Sequence, residues 1–275
     1  SRGGMTSHAA LVARGWGKCC VVGCNQIEIN EKNKFLRVGK IKIQEGDWMT
    51  LDGSSGKVYR DKLPLIQPQI SKNKLFNNLL SISKSTAKIN VRTNADSPQD
   101  AKKAYELGAT GIGLCRTEHM FFNPKRIKEV RKMIVANSLE DRQNAIMNLL
   151  PYQKKDFYNI LKTLNGNPVT IRLLDPPLHE FLPTTAVQIR ELANELNINY
   201  KQLNHKISTL HESNPMLGHR GCRLAITYPE ITIMQTMAII QATKKLVKSG
   251  FKPCPEIMIP LVGSVGEFVH QKKLI

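Results

Sequence analysis

The sequence predicts an α/β protein in two parts, a small β-rich unit followed by a parallel-sheet domain. Residues 1–60 alternate Gly-rich turns with short strand-like runs, whereas from about residue 86 the pattern becomes strand, loop, helix, repeated. Residues 61–85 are polar and irregular, with Pro64, Pro68, Ser71, Asn73 and Asn77, and read as a linker with some helical character.

In the first part, one helix runs from about Ala9 to Arg14. Strand-like runs follow at Cys19–Val22, at Ile41–Ile43 and at Asp47–Leu51, and the last leads through the turn Asp52-Gly53-Ser54-Ser55-Gly56 into Lys57-Val58-Tyr59. In the second part, a strand at Ile89–Val91 precedes a helix with Ser97 as N-cap, Pro98 at its first position and Asp100 in the capping-box position, ending at Gly108. A strand at Gly111–Cys115 precedes a helix through Ile127, Val130 and Ile134. A helix from Pro151 to Gly166 leads to a third strand at Val169–Ile171 and a helical stretch around Ile189 and Leu192. A short fourth strand is expected at Met216-Leu217, a long helix over 230–249, and a fifth strand at Ile257–Val262. Strands alternating with helices imply a parallel sheet, and pattern alone leaves open whether it is flat or closed into a barrel.

The composition narrows the function classes. No run of about 18 apolar residues spans a membrane. Forty basic against 22 acidic residues give a net charge of +18, but the lysines are scattered and aromatics are only 6%, which favours solvated surface over a nucleic-acid face. The six cysteines form no C-x-x-C pair and read as reduced thiols of an intracellular protein, cytoplasmic or organellar. The chain begins Ser1-Arg2-Gly3-Gly4, without an initiator Met or a readable targeting signal, which leaves the compartment open if the true N-terminus lies upstream.

Two features carry chemistry. In Gly3-Gly4-Met5-Thr6-Ser7-His8-Ala9-Ala10, Thr6 and Ser7 can cap a helix, placing His8 at its positive end beside free amides that suit a phosphoryl group. The local pattern fits both a nucleophilic histidine and one that merely packs at the cap. The second feature is a repeat of arginines after strand-like runs: Arg92, Arg116, Arg172 and Arg220. If the strands are parallel, all four emerge at one carboxyl edge, where such folds keep their ligands, and would grip a small ligand bearing phosphate and carboxylate. Each single arginine also fits a plain ion pair, for example to Glu118 or Asp175. Glu118 can orient an arginine; His119, His179 and Glu180 read as loop polars.

These segments resemble the pyruvate, phosphate dikinase family of phosphoenolpyruvate-utilising enzymes over essentially the whole chain. The resemblance rests on Gly3–Ala10 with Gly15-Trp16-Gly17-Lys18-Cys19-Cys20, on Gly111–Phe122, Arg172–Pro177 and Asn214–Leu224, and on Pro255–Val262. It implies that residues 1–62 are the later part of a swivelling phosphohistidine domain, 63–85 a linker, and 86–275 about five βα units of an incomplete (β/α)8 barrel that binds phosphoenolpyruvate and pyruvate. It implies His8 as the phosphate carrier, Arg92, Arg116 and Arg172 as substrate-binding arginines, and Thr6 as the position phosphorylated in regulated members. ATP and inorganic phosphate would act through a nucleotide-binding domain upstream, and the complete enzyme would be a homodimer. Magnesium is implied too, with its carboxylate ligands, a neighbouring asparagine and the catalytic cysteine downstream of Ile275. Glu256, expected before the fifth strand, and Glu267 are not replacements for those ligands, nor are Cys222 and Cys254 for the cysteine. The chain alone is therefore expected not to turn over. The alternatives are a phosphoenolpyruvate synthase, the first enzyme of the sugar phosphotransferase system, or a non-catalytic fragment; Lys18-Cys19-Cys20 and Glu118-His119-Met120 argue against the two enzymes.

Overall fold

The computed structural model describes residues 3–65, 73–212 and 214–275. Two compact units emerge, Ser1–Asn77 and Asn78–Ile275. The linker positions Pro68 and Ser71 lie outside the described residues.

The first unit opens with α1 (His8–Gly15). Strands β1 (Ile27–Asn30), β2 (Phe35–Val38) and β3 (Ile41–Gln44) form an antiparallel sheet, and β4 (Thr50–Asp52) and β5 (Lys57–Tyr59) form a hairpin. Asp52 accepts hydrogen bonds from the Ser54 and Ser55 amides and so builds the hairpin turn. The expected run at Cys19–Val22 is not a strand: it joins no ladder, and Cys19 instead donates its thiol to the Leu51 carbonyl at 3.3 Å. Helix α2 (Lys74–Thr86) occupies the end of the expected linker.

The second unit runs β6 (Thr93–Asn94), α3 (Pro98–Glu106), β7 (Ile112–Arg116), α4 (Pro124–Val135), α5 (Leu139–Met147), α6 (Leu150–Thr163) and β8 (Pro168–Arg172). It continues with α7 (Ala186–Leu196), α8 (Tyr200–Leu210), α9 (Gly221–Thr227), α10 (Pro229–Lys248), β9 (Cys254–Met258) and α11 (Val265–Leu274). The strands lie in the order β6-β7-β8-β9, every neighbouring pair parallel. Ser97 caps α3 and accepts from the Asp100 amide, as its sequence predicts.

The five expected strands become four among the described residues, and no closed barrel forms. Met216 and Leu217 are an exposed turn instead of a strand. The Asn214 side chain accepts from the Met216 amide and its carbonyl from the Leu217 amide, so local turn chemistry wins over a two-residue apolar run. The first strand starts later than Ile89–Val91, at Thr93. The last ends earlier than Val262, because Pro260 has no N–H to donate and Leu261 turns to φ 56°. Glu256 consequently lies inside β9, not before it.

The sheet has two chemically distinct faces, set by alternation along β8 and by a register irregularity between Ile112 and Cys115 in β7. Ile112, Cys115, Val169 and Ile171 face a core closed by Phe157 and Ile160 of α6 and by Ala238 and Ile239 of α10. Thr170, Arg172 and Glu256 occupy the other face. A second core gathers α4, α5, α7 and α8 around Phe121 and Phe181. Gly111 is required where β7 begins beside β8: a Cβ there would meet the Pro168 carbonyl oxygen at 2.6 Å.

Candidate functional site

At the carboxyl edge of the sheet, Arg116 ends β7 and Arg172 ends β8, and the two are register partners. Paired positions on neighbouring strands direct side chains to one face, so two guanidiniums rise side by side. Two cations this close need organised counter-charge, and each has its own. Asp96, in the loop between β6 and α3, takes the Arg116 amide on Oδ1 at 2.7 Å and the Arg116 Nε and Nη2 on Oδ2 at 3.0 and 2.7 Å. Arg172 donates from Nη2 to Glu118 Oε1 at 2.5 Å and pairs through Nη1 with Asp175 Oδ2 at 2.9 Å. Asp175 holds Arg220 as well: Nη2 reaches Oδ2 at 2.8 Å and Nε reaches the Asp175 carbonyl at 3.2 Å.

The ion pairs that sequence offered for these arginines, to Glu118 and Asp175, are thus present, and Glu118 orients Arg172 rather than its near neighbour Arg116. Three arginines face three carboxylates. Such a cluster is preorganised rather than strongly positive. Buried polar atoms remain without hydrogen-bond partners at its heart: Arg172 Nε, Glu118 Oε2, Asp175 Oδ1 and Thr117 Oγ1. Leaving buried polar groups incompletely satisfied is costly.

Arg92 departs from the expected arrangement. It precedes β6 instead of following a strand, so its side chain reaches the polar face one layer below the edge. There Nη1 and Nη2 grip Glu256 at 2.5 and 3.2 Å, and Thr170 Oγ1 donates to the same carboxylate at 2.7 Å. The hydrogen bonds from Arg92 and then Thr170 hold the Glu256 carboxyl below the usual carboxylate range. Gly113 makes room: a Cβ there would stand 3.2 Å from the Arg92 Cβ. Arg220 also follows no strand; it is the N-cap of α9 and joins the cluster through Asp175. The sequence signal that could have found Asp96 is its place immediately before the Ser97 cap, on a loop leaving a strand.

In the other unit, Ser7 caps α1, its Oγ accepting from the Ala10 amide at 3.4 Å, and His8 is the exposed first residue of the helix. No acidic side chain stands in the first turn. The imidazole therefore sits at the positive helix end with solvent access. Gly3 turns at φ 91°, and a Cβ on it would come within 3.1 Å of the Ser7 Cβ. Thr6, exposed, makes no cap. Among the described residues no group of three or more His, Cys, Asp or Glu could hold a metal ion. Cys115 and Cys222 are buried, and desolvation pushes both thiols up, which disfavours the thiolate.

An open parallel sheet with ordered arginines at its carboxyl edge, joined in sequence to a unit with a capped histidine, defines a class that comparison with known proteins makes definite. The chain belongs to the phosphoenolpyruvate-utilising enzymes: residues 71–275 match the family described as PEP-utilising enzyme, PEP-binding domain, and residues 1–56 match the mobile domain of PEP-utilising enzymes. It is 48% identical over 275 residues to pyruvate, phosphate dikinase of Clostridium symbiosum, covering 100% of this chain and 31% of that protein. It is 52% identical over 278 residues to the chloroplastic pyruvate, phosphate dikinase of Mesembryanthemum crystallinum, covering 29% of it. Against pyruvate, phosphate dikinase 2 of Zea mays it is 51% identical over 277 residues, 31% of that protein. The chain thus spans under a third of the length of these relatives. Among the described residues, no helix is long and apolar enough to cross a membrane.

Proposed function

We propose that this chain carries the phosphohistidine and part of the phosphoenolpyruvate site of a pyruvate, phosphate dikinase, which interconverts ATP, phosphate and pyruvate with AMP, diphosphate and phosphoenolpyruvate. The observation that carries the reading is identity near one half, sustained across both units, to proteins of that name. His8 attacks a phosphoryl group as a nucleophile, and the free amides of the first turn of α1 receive the transferred phosphate. ATP and inorganic phosphate act at a nucleotide-binding region outside these 275 residues, and magnesium would be held outside them as well. Arg116 and Arg172 then bind the phosphate end of phosphoenolpyruvate, their guanidiniums already oriented by Asp96, Glu118 and Asp175. Such fixed donors stabilise charge on the phosphoryl group without reorganising during transfer. Arg92, the third proposed substrate contact, stands a layer deeper, so its contribution runs through the floor it forms with Thr170 and Glu256. Thr6, two residues before His8 and exposed, is the proposed regulatory phosphorylation position. The swivelling unit is proposed as residues 1–62 and the substrate unit as 86–275, the start of a (β/α)8 barrel.

The test uses the full-length enzyme. Exposure to ATP and phosphate followed by peptide mapping places an acid-labile phosphoryl group on the peptide containing His8. Undiminished labelling of His8→Asn removes the carrier assignment. Arg116→Ala is expected to cost about 2 kcal/mol or more of transition-state stabilisation, the scale of a lost charge-assisted contact.

A further inference from the structure

The proposed site has a fixed component that the resemblance did not name. Asp96 is only 14% exposed and accepts three hydrogen bonds from Arg116, while His119 Nδ1 stands 2.9 Å from its Oδ2. The anchor of Asp96 is rigid. The Ala95 amide donates to the Leu114 carbonyl at 3.1 Å, which ties the preceding residue to β7, and Ser97 immediately starts α3. The grip is side-on, using Nε and one Nη of Arg116. Nη1 takes no partner among the described residues, and the side chain is 37% exposed. The geometry therefore spends the inner edge of the guanidinium on orientation and leaves its outer edge for a ligand.

We propose that Asp96 is the positioning residue for Arg116, clamping the guanidinium in the orientation that receives the phosphate of phosphoenolpyruvate. This rests on the reading of Arg116 given above. An unclamped arginine has several rotamers of similar energy, and the clamped one loses none of that freedom on binding. Without Asp96, Arg116 must be ordered by the ligand itself, while Arg172, held by Glu118 and Asp175, stays in place.

The experiment is a double-mutant cycle in the full-length enzyme, read by the pyruvate-to-phosphoenolpyruvate half-reaction and separately by the nucleotide-driven phosphorylation of His8. Asp96→Asn is expected to lower kcat/KM of the first by roughly 10- to 100-fold, the effect of misplacing a binding group by about 1 Å. His8 phosphorylation is expected to stay unchanged. On an Arg116→Ala background the same substitution is expected to change nothing further, because its effect passes through Arg116. Asp96→Glu, which keeps the charge, should recover part of the loss and provides the readout should the asparagine variant fold poorly. Equal losses from Asp96→Asn on both backgrounds, or no loss on the native one, overturn the positioning role alone. If Arg116→Ala itself leaves the half-reaction intact, the anion-binding reading of the edge fails and this role fails with it.

Discussion

Asp175 is the joint of the arginine cluster, and removing its carboxylate is expected to be among the costliest single changes in the second unit. It is 4% exposed, and its Oδ2 serves Arg172 at 2.9 Å and Arg220 at 2.8 Å, whose side chains are 21% and 15% exposed. Opposite charges about 4 Å apart in an effective dielectric near 20 attract by roughly 4 kcal/mol. Two such pairs give roughly 8 kcal/mol, offset by several kcal/mol for burying the carboxylate. The net loss for Asp175→Ala is thus about 3–5 kcal/mol, the same range that direct breaking of a buried pair gives. Asp175→Asn keeps an acceptor and loses the charge, and is expected to cost about 2 kcal/mol. The Asp175 carbonyl keeps its bonds from Arg220 and the Gly221 amide in both variants, which limits the damage to the side chain.

Urea unfolding of the purified chain measures this with two probes. Helices α3 to α11 all lie in the second unit, so far-UV circular dichroism reports mainly on it. Both tryptophans, Trp16 and Trp48, lie in the first unit, so their fluorescence is an internal control. The dichroism midpoint should fall with the fluorescence midpoint unmoved. A loss below about 1 kcal/mol for Asp175→Ala would show that solvent already screens the cluster, and the preorganisation argument would fail with it.

Two further outcomes follow from the sheet. Because its Arg92 and Thr170 bonds lower the Glu256 pKa, the Glu256 carboxylate contributes stability that is complete above the ordinary glutamate range and lost as pH falls through the lower folded value. Thermal midpoints measured from neutral pH to about pH 3 should therefore fall less steeply at the acid end in Glu256→Gln, and an unchanged acid limb would discard the role of this pair. Gly111→Ala should cost about 1–3 kcal/mol in the same urea assay, since the new methyl meets the Pro168 backbone at 2.6 Å, and a neutral result would mean that the start of β8 shifts freely.

Much of this protein was legible along the chain because the deciding interactions are local. The caps at Ser7 and Ser97, the Asp52 turn and the long helix α10 need only neighbours within a few residues, and all appear as sequence predicts. The alternation of strands with helices likewise sufficed for a parallel sheet. What failed was where strands begin and end. Ladder pairing is a relation between distant segments: Cys19–Val22 looks like a strand and has no ladder, while Thr93–Asn94 is one because β7 lies beside it. Met216-Leu217 lost to a turn built by Asn214, and Glu256 moved into β9 once Pro260 closed that strand. The arginines show the same division most clearly. Their types and their strand-following pattern pointed to one anion-handling edge, but only the fold decided which of them reach it. Arg116 and Arg172 do so as register partners, Arg220 through Asp175, and Arg92 one layer below against Glu256. The place of Asp96 before the Ser97 cap marks it as a loop residue leaving a strand, but not as the partner of Arg116 twenty residues away, because a carboxylate's partner is set by which strands are neighbours and not by sequence separation.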